Sequence, residues 1–265
     1  MKYTAAAAAI LMGSAALATP VNVLMDNAKA ELQRRNQIRR GQKLLGGKVR
    51  ESINGTATTV ESDNWSGAAL VTSGVTEVSG TFTIPKPSAP SGGSSNGEYC
   101  GAAWVGIDGY NDDDLIQTGV LWCVEGGSYL YEAWYEYLPA SLVEYSGITV
   151  TNGESVTVTA TKTGTNSGVT TLTAGGKEVT HTFSGESSPI PGDSAEWIVE
   201  DFESGDSLVP FANFGTVTFT GATAVVNGAT QDAGPNSVNI ILTSSSGSEL
   251  TSTTISGTTV TVKYV

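Results

Sequence analysis

Near residue 60 the hydrophobic and polar pattern of the chain changes. From Glu61 onward, short runs alternate apolar and polar positions, and clusters of Gly, Ser, Asn and Pro separate them. Val156-Thr157-Val158-Thr159-Ala160-Thr161 is one such run; Thr216-Val217-Thr218-Phe219-Thr220, bracketed by Gly215 and Gly221, is another; the chain ends on a third, Thr258 to Val265. A period of two sends alternate side chains to opposite faces, the signature of a strand in a half-covered sheet. Many such strands with turn signals between them predict an antiparallel sandwich or barrel, and about 200 residues suits one large domain of that kind. No helical period and no internal repeat is visible there. Residues 88–97, rich in Ser and Gly, predict an exposed loop and the best place for an internal nick.

The first 60 residues read differently. Lys2, an apolar stretch from Ala5 to Met12 and the small residues Ala16-Leu17-Ala18 predict a signal peptide over 1–18. The apolar run is short for a membrane helix, and no later stretch is long enough to span, so a secreted, extracellular product without a membrane anchor is expected. Residues 19–58 form a candidate prosegment, with helix formers from Asp26 to Arg35. The fold domain is then 59–265.

Charge reinforces that division. Residues 1–60 hold nine Lys/Arg against three acids, whereas the rest holds four Lys against 23 acids, a formal charge of about −19. Such a body repels phosphate, so nucleic-acid binding is excluded and the basic arm reads as a prosegment lying over an acidic body. With only four Lys, no Arg and His181 beyond residue 60, little positive charge accumulates when the carboxylates are protonated, which favours work at acid pH. The two cysteines, Cys100 and Cys123, predict one disulfide in an exported protein. Asn54 and Asn64 each begin an acceptor triplet for N-glycosylation.

The candidate chemistry is narrow. His181 sits in a strand-like run without a nucleophile motif, Asp-Thr/Ser-Gly is absent, and neither HExxH nor a Cys/His metal pattern occurs. A Ser-His site, an aspartic dyad and a metal centre are thereby set aside, and no cofactor is expected. Carboxylates, amides and aromatics remain. Gln117 and Glu200 each interrupt an apolar β-type run, where an unpartnered polar group is costly. Glu200 shares a strand face with Phe202 and with Glu196, Trp134 shares one with Glu136, and Gln117 shares one with Gly119, a small residue that would let a ligand backbone approach. A carboxylate to activate water beside an amide to hold an oxyanion could hydrolyse an amide bond. Glu136 and Glu200 could instead form a glycosidase pair, and an aromatic cleft that binds sugars without turnover is a third reading.

Five ordered motifs sharpen the choice. Asn64-Trp65-Ser66-Gly67-Ala68, Trp104-Val105-Gly106-Ile107-Asp108-Gly109, Ile116-Gln117-Thr118-Gly119-Val120, Trp134-Tyr135-Glu136-Tyr137 and Glu196 to Glu203 together resemble the motif series of the fungal glutamic peptidases, the eqolisins, over residues 59–265. The resemblance implies a lectin-like sandwich of two antiparallel β-sheets and a secreted, acid-active zymogen that cleaves proteins and peptides as a monomer, with its own prosegment as inhibitor. It implies Gln117 and Glu200 as a dyad on the concave face, with Glu196 the competitor for the base. Trp104, Asp108, Trp134, Glu136, Phe202 and Glu203 match cleft-lining positions. Tyr135 to Pro139 departs from the family pattern, which bears on subsite preference and not on the dyad.

Overall fold

The computed structural model describes residues 39–50 and 58–265; the expected signal peptide, the helix-forming stretch 26–35 and Asn54 lie outside them. The described residues contain no helix and make two large sheets and a small one. The front sheet has nine strands, in the order Lys48–Arg50, Thr59–Ser62, Val238–Leu242, Trp65–Val71, Ser194–Glu200, Glu98–Ile107, Ile116–Glu125, Ser128–Tyr137 and Val143–Glu144. The back sheet has eight and runs Lys177–Ser184, Ser167–Ala174, Ser155–Gly164, Val75–Thr83, Thr216–Val226, Thr259–Tyr264, Thr251–Ser256, with Ala229–Asp232 added on Thr216–Val226. Pairing is antiparallel except where Val238–Leu242 runs parallel to Thr59–Ser62. The expected two-sheet sandwich is therefore present.

The alternating pattern explains the core. In the back sheet Val156, Val158 and Ala160 point inward, and the intervening Thr157 and Thr159 form part of a Ser/Thr-covered outer face, where Thr157 bonds Thr81 and Thr159 bonds Ser79. Their inward neighbours meet Ala103, Val105, Ile107, Trp122, Trp197 and Val199 of the front sheet in one continuous cluster. Phe82 and Phe219 pack edge-on at 5.2 Å inside it, each burial being worth about 1.5–3 kcal/mol.

The front-sheet strands that hold the site are buried on both faces, so apolar residues sit at nearly every position. Trp65, Trp104, Leu121, Trp134, Ile198 and Phe202 form a second cluster on the concave side. Cys100 and Cys123 lie opposite each other on adjacent strands and form the expected disulfide. The 88–97 stretch is a loop exposed from Ser91 to Asn96.

The described part of the 19–58 stretch is extended. Arg39–Arg40 pairs antiparallel with Glu203–Ser204, which pairs in turn with Ser207–Leu208, and Lys48–Arg50 adds to the edge of the front sheet. Between them residues 41–47 run as a strap over the front-sheet residues Glu136 and Glu200 to Asn64.

Candidate active site

Sheet register brings the polar residues of the concave face together. Gln117 is directly opposite Glu136 on the next strand, and Glu200 is opposite Ala102 on one side and Trp65 on the other. Gln117 Nε2 donates to Glu136 Oε2 at 2.7 Å, and Trp104 Nε1 donates to Glu200 Oε2 at 2.8 Å. Trp104 reaches this position because Gly119 has no side chain: a Cβ there would lie 2.6 Å from the Trp104 Cβ. The space beside Gln117 that the sequence assigns to a ligand backbone is thus filled by Trp104. Trp65 braces the same indole edge-on at 5.0 Å.

The strap supplies the remaining partners. The Gly41 amide donates to Glu136 Oε2 and the Gln42 amide to Glu200 Oε1, each at 2.9 Å, and Gln42 Nε2 donates to Glu203 Oε2 at 2.9 Å. Consecutive main-chain amides of one extended peptide therefore sit on Glu136 and Glu200. A Cβ at Gly41 would come within 2.1 Å of Gln117 Nε2 and 2.6 Å of Glu136 Oε2, so any other residue here would displace the ends of both side chains. Further along, Asn64 and Ser62 take up the strap backbone, the Leu44 amide bonds the Gly109 carbonyl, and Lys43 pairs with Asp113.

Arg39 anchors the other end. Its side chain is almost fully buried, with its guanidinium 5.1 Å over the Phe202 ring, Nη2 3.3 Å from Cys123 Sγ and 4.0 Å from Glu98. Burial lowers its pKa to about 10, against the attraction of Glu132 and Glu98, so it stays charged throughout the acid range.

The carboxylates respond strongly to this cover. Glu200 is pushed up to about 8 by burial; the Gln42 amide and the indoles of Trp104 and Trp65 oppose the shift, and Glu203 adds to it. Glu136 is raised well above the ordinary carboxylate range by burial and by Glu200. A general base that works at acid pH has to ionise there; beneath the strap, burial holds Glu200 at about 8 and therefore protonated across that range.

Other expected site residues fall at varying distances from this centre. Trp134 is buried in the concave apolar cluster, Phe202 lies beneath Arg39, and Glu203 holds the Gln42 side chain. Asp108, at φ 73°, accepts from the amides of Gly192 and Asp193, at distances down to 2.6 Å, and burial raises it to about 6. It ties the 192–193 segment to the end of the Glu98–Ile107 strand. Glu196 lies in the same cross-strand row as Gln117, with Gly106 between them, and is fully buried, with neither carboxyl oxygen hydrogen-bonded to the strap; burial raises its pKa well above the carboxylate range. His181, at the edge of the back sheet, stacks on Tyr135 at 3.9 Å. Asn64 and the strap residues Gly41 and Gln42 were not assigned from sequence. The signal available was a glycine inside the basic run Arg39-Arg40-Gly41-Gln42-Lys43.

The Trp104 contact has a measurable consequence. Trp104→Phe keeps the packing and removes the N–H that stabilises ionised Glu200. We expect about a tenfold fall in kcat, the worth of one hydrogen bond to a charged group, and an upward shift of the acid limb of the pH–rate profile. An unchanged acid limb would show that the indole does not bear on the base.

Known proteins resemble the whole arrangement. Residues 63–264 match the Peptidase A4 family. Aspergillopepsin-2 of Aspergillus niger is 41% identical and scytalidopepsin B of Scytalidium lignicola 36% identical, each over the full length of both chains. The crystal structure of scytalido-glutamic peptidase with a transition state analog inhibitor superposes with a TM-score of 0.69 at 35% identity, over 77% of this chain and 98% of that one. Aspergilloglutamic peptidase from Aspergillus niger gives 0.60 at 48% identity, over 63% and 99%.

Proposed function

The chain belongs to the Peptidase A4 family, and from that premise we propose that it is a secreted, acid-active glutamic endopeptidase, made as a zymogen, whose dyad is Gln117 and Glu200. The observation that supports this reading best is the strap itself: an extended peptide lies across the concave face with successive amides on Glu136 and Glu200, beside the Gln117 amide. A substrate peptide laid along the same track would have a peptide bond between the two residues.

In the uncovered enzyme, Glu200 is hydrated and ionises at lower pH. It takes a proton from a water, and the resulting hydroxide attacks the scissile carbonyl carbon. The negative charge that develops on the carbonyl oxygen is held by an N–H of Gln117, whose other N–H remains on Glu136. A donor aimed at an oxyanion is worth about 3–4 kcal/mol. Glu200 then passes its proton to the leaving nitrogen, the C–N bond breaks, and the acid and amine products separate. Glu136 orients the Gln117 amide. The step needs no metal or organic cofactor, and a single chain supplies every group.

The strap explains latency in these terms. The Gln42 amide of the strap takes up Oε1 of Glu200, and Glu200 is fully buried with the strap in place, so a water has no access to it. Removal of residues 19–58 would expose a mature start near Thr59.

The glycosidase reading, with Glu136 and Glu200 as the carboxyl pair, leaves the amide of Gln117 without a task. Parallel assays at acid pH on a denatured protein and on a soluble β-glucan or xylan separate the two, and we expect hydrolysis of the protein alone. Turnover of the polysaccharide, or binding with no turnover of either, would overturn the reading. The proposed chemistry uses no serine nucleophile, aspartic dyad or metal, so activity should survive serine-directed reagents, pepstatin and EDTA. Strong inhibition by EDTA would count decisively against it.

A further inference from the structure

Asn64 begins an acceptor triplet for glycosylation, yet its side chain is fully buried and hydrogen-bonded through both its oxygen and its nitrogen. Its Nδ2 donates to the Lys43 carbonyl at 3.0 Å, and its Oδ1 accepts from the Leu45 amide at 2.9 Å. A glycan on Nδ2 is incompatible with that packing. The pair of contacts has a specific form. A carbonyl and an amide two residues apart on one extended chain are what a neighbouring β-strand would engage, and the Asn side chain supplies the matching donor and acceptor. Both contacts are to main chain, so they do not depend on which side chains the bound segment carries.

The position of this amide relative to Glu200 is set by the sheet. The Asn64 carbonyl accepts from the Asp201 amide at 2.8 Å, and Trp65 is the register partner of Glu200. The Ser62 hydroxyl, 3.0 Å from Asn64 Oδ1, supports the side chain from below. Along the strap the order is Gly41 on Glu136, Gln42 on Glu200, then Lys43 and Leu45 on Asn64. Asn64 therefore holds chain that lies C-terminal to the residue on the candidate base.

We propose that Asn64 is a substrate-binding residue that grips the main chain of a protein or peptide substrate on the C-terminal side of the cleaved bond, acting as a one-residue substitute for an edge strand. This rests on the reading of the strap's path as the substrate's path. It makes catalysis depend on how far the substrate extends past the cleaved bond, because a peptide that ends there has neither the carbonyl nor the amide that Asn64 engages.

The test compares two synthetic peptides with the same residues up to the cleaved bond. One ends a single residue beyond it, and the other continues for four more. The purified full chain, brought to acid pH, is assayed beside its Asn64→Ala and Asn64→Asp variants. Asn64→Ala should lower kcat/KM on the long peptide by about 10- to 100-fold, the loss of one to two hydrogen bonds, and on the short peptide by less than about threefold. The preference of the wild type for the long peptide should collapse accordingly. Asn64→Asp keeps the acceptor and, protonated at low pH, offers an O–H in place of the N–H, so at about pH 3 it should retain most of the length preference. Equal losses on both peptides, or a length preference intact in Asn64→Ala, would overturn the proposal while leaving the dyad in place. A wild type that cleaves neither peptide nor any protein overturns the peptidase reading, and this inference with it.

Discussion

Glu200→Gln should reduce kcat by at least about 100-fold while the protein still folds, because it removes the general base and leaves a side chain of the same shape. Gln117→Ala should cost a comparable factor through loss of the oxyanion donor. Glu196→Gln is the control. Glu196 is fully buried, accepts no hydrogen bond from the strap, and its pKa is raised well above the carboxylate range. It is therefore already neutral at acid pH, and a neutral amide replaces it with little effect on turnover. The three variants are compared by initial rates on a denatured protein at acid pH, with thermal unfolding as the check on folding. An inactive Glu196→Gln beside a largely active Glu200→Gln would move the base to Glu196.

A synthetic peptide of residues 19–58 should inhibit the acid-activated protein with a bell-shaped pH dependence. Two effects of opposite sign produce it. With the strap in place Glu200 sits at about 8 instead of its ordinary 4.5, and Glu136 is also raised. Strap binding therefore takes up protons; this contribution is fully present below about 4.5 and is lost as the pH rises through about 8. The ionic contacts behave in the reverse way. Arg39 keeps its charge, while the acidic body as a whole loses negative charge as the pH falls into the carboxylate range. Inhibition should be tightest at about pH 4.5–6 and weaker at both pH 8 and pH 3. Charge arithmetic on the sequence alone, +5 on the arm against −19 on the body, anticipates attraction that strengthens steadily toward neutral pH. The buried carboxylates change that expectation.

The same peptide distinguishes its arginines. Arg39 is 1% exposed and sits against Phe202, whereas Arg40 is exposed. Arg39→Ala should weaken inhibition by about 100-fold, since it empties a buried, charged contact, and Arg40→Ala by about threefold or less. Added salt should weaken binding modestly, through the exposed Lys43–Asp113 pair more than through Arg39. Inhibition constants that do not move with pH or salt would show that the contact is mainly apolar.

The alternation in runs such as Val156 to Thr161 was sufficient for the all-β class, because strand period and frequent turns are local properties. Gln117 and Glu200 stand out as candidates for a related reason: a polar group in an apolar strand is costly unless it has a partner or a task, and that cost is visible one residue at a time. The same reasoning could not separate Glu200 from Glu196, which share a face of one strand. Cross-strand register gives them different surroundings, setting Glu200 beside Trp65 and in reach of Trp104, and Glu196 beside Gly106. Register also pairs Gln117 with Glu136, and close approach decides that Gly119 admits Trp104 and Gly41 admits the strap. The course of residues 41–47 was hidden for the same reason. Their conformation comes from hydrogen-bonding groups contributed by Glu136, Glu200 and Asn64 on separate strands, not from any propensity of their own. Period and polarity are written along the chain; which strand lies beside which, and what lies over the acids, follows from long-range packing that no local pattern encodes.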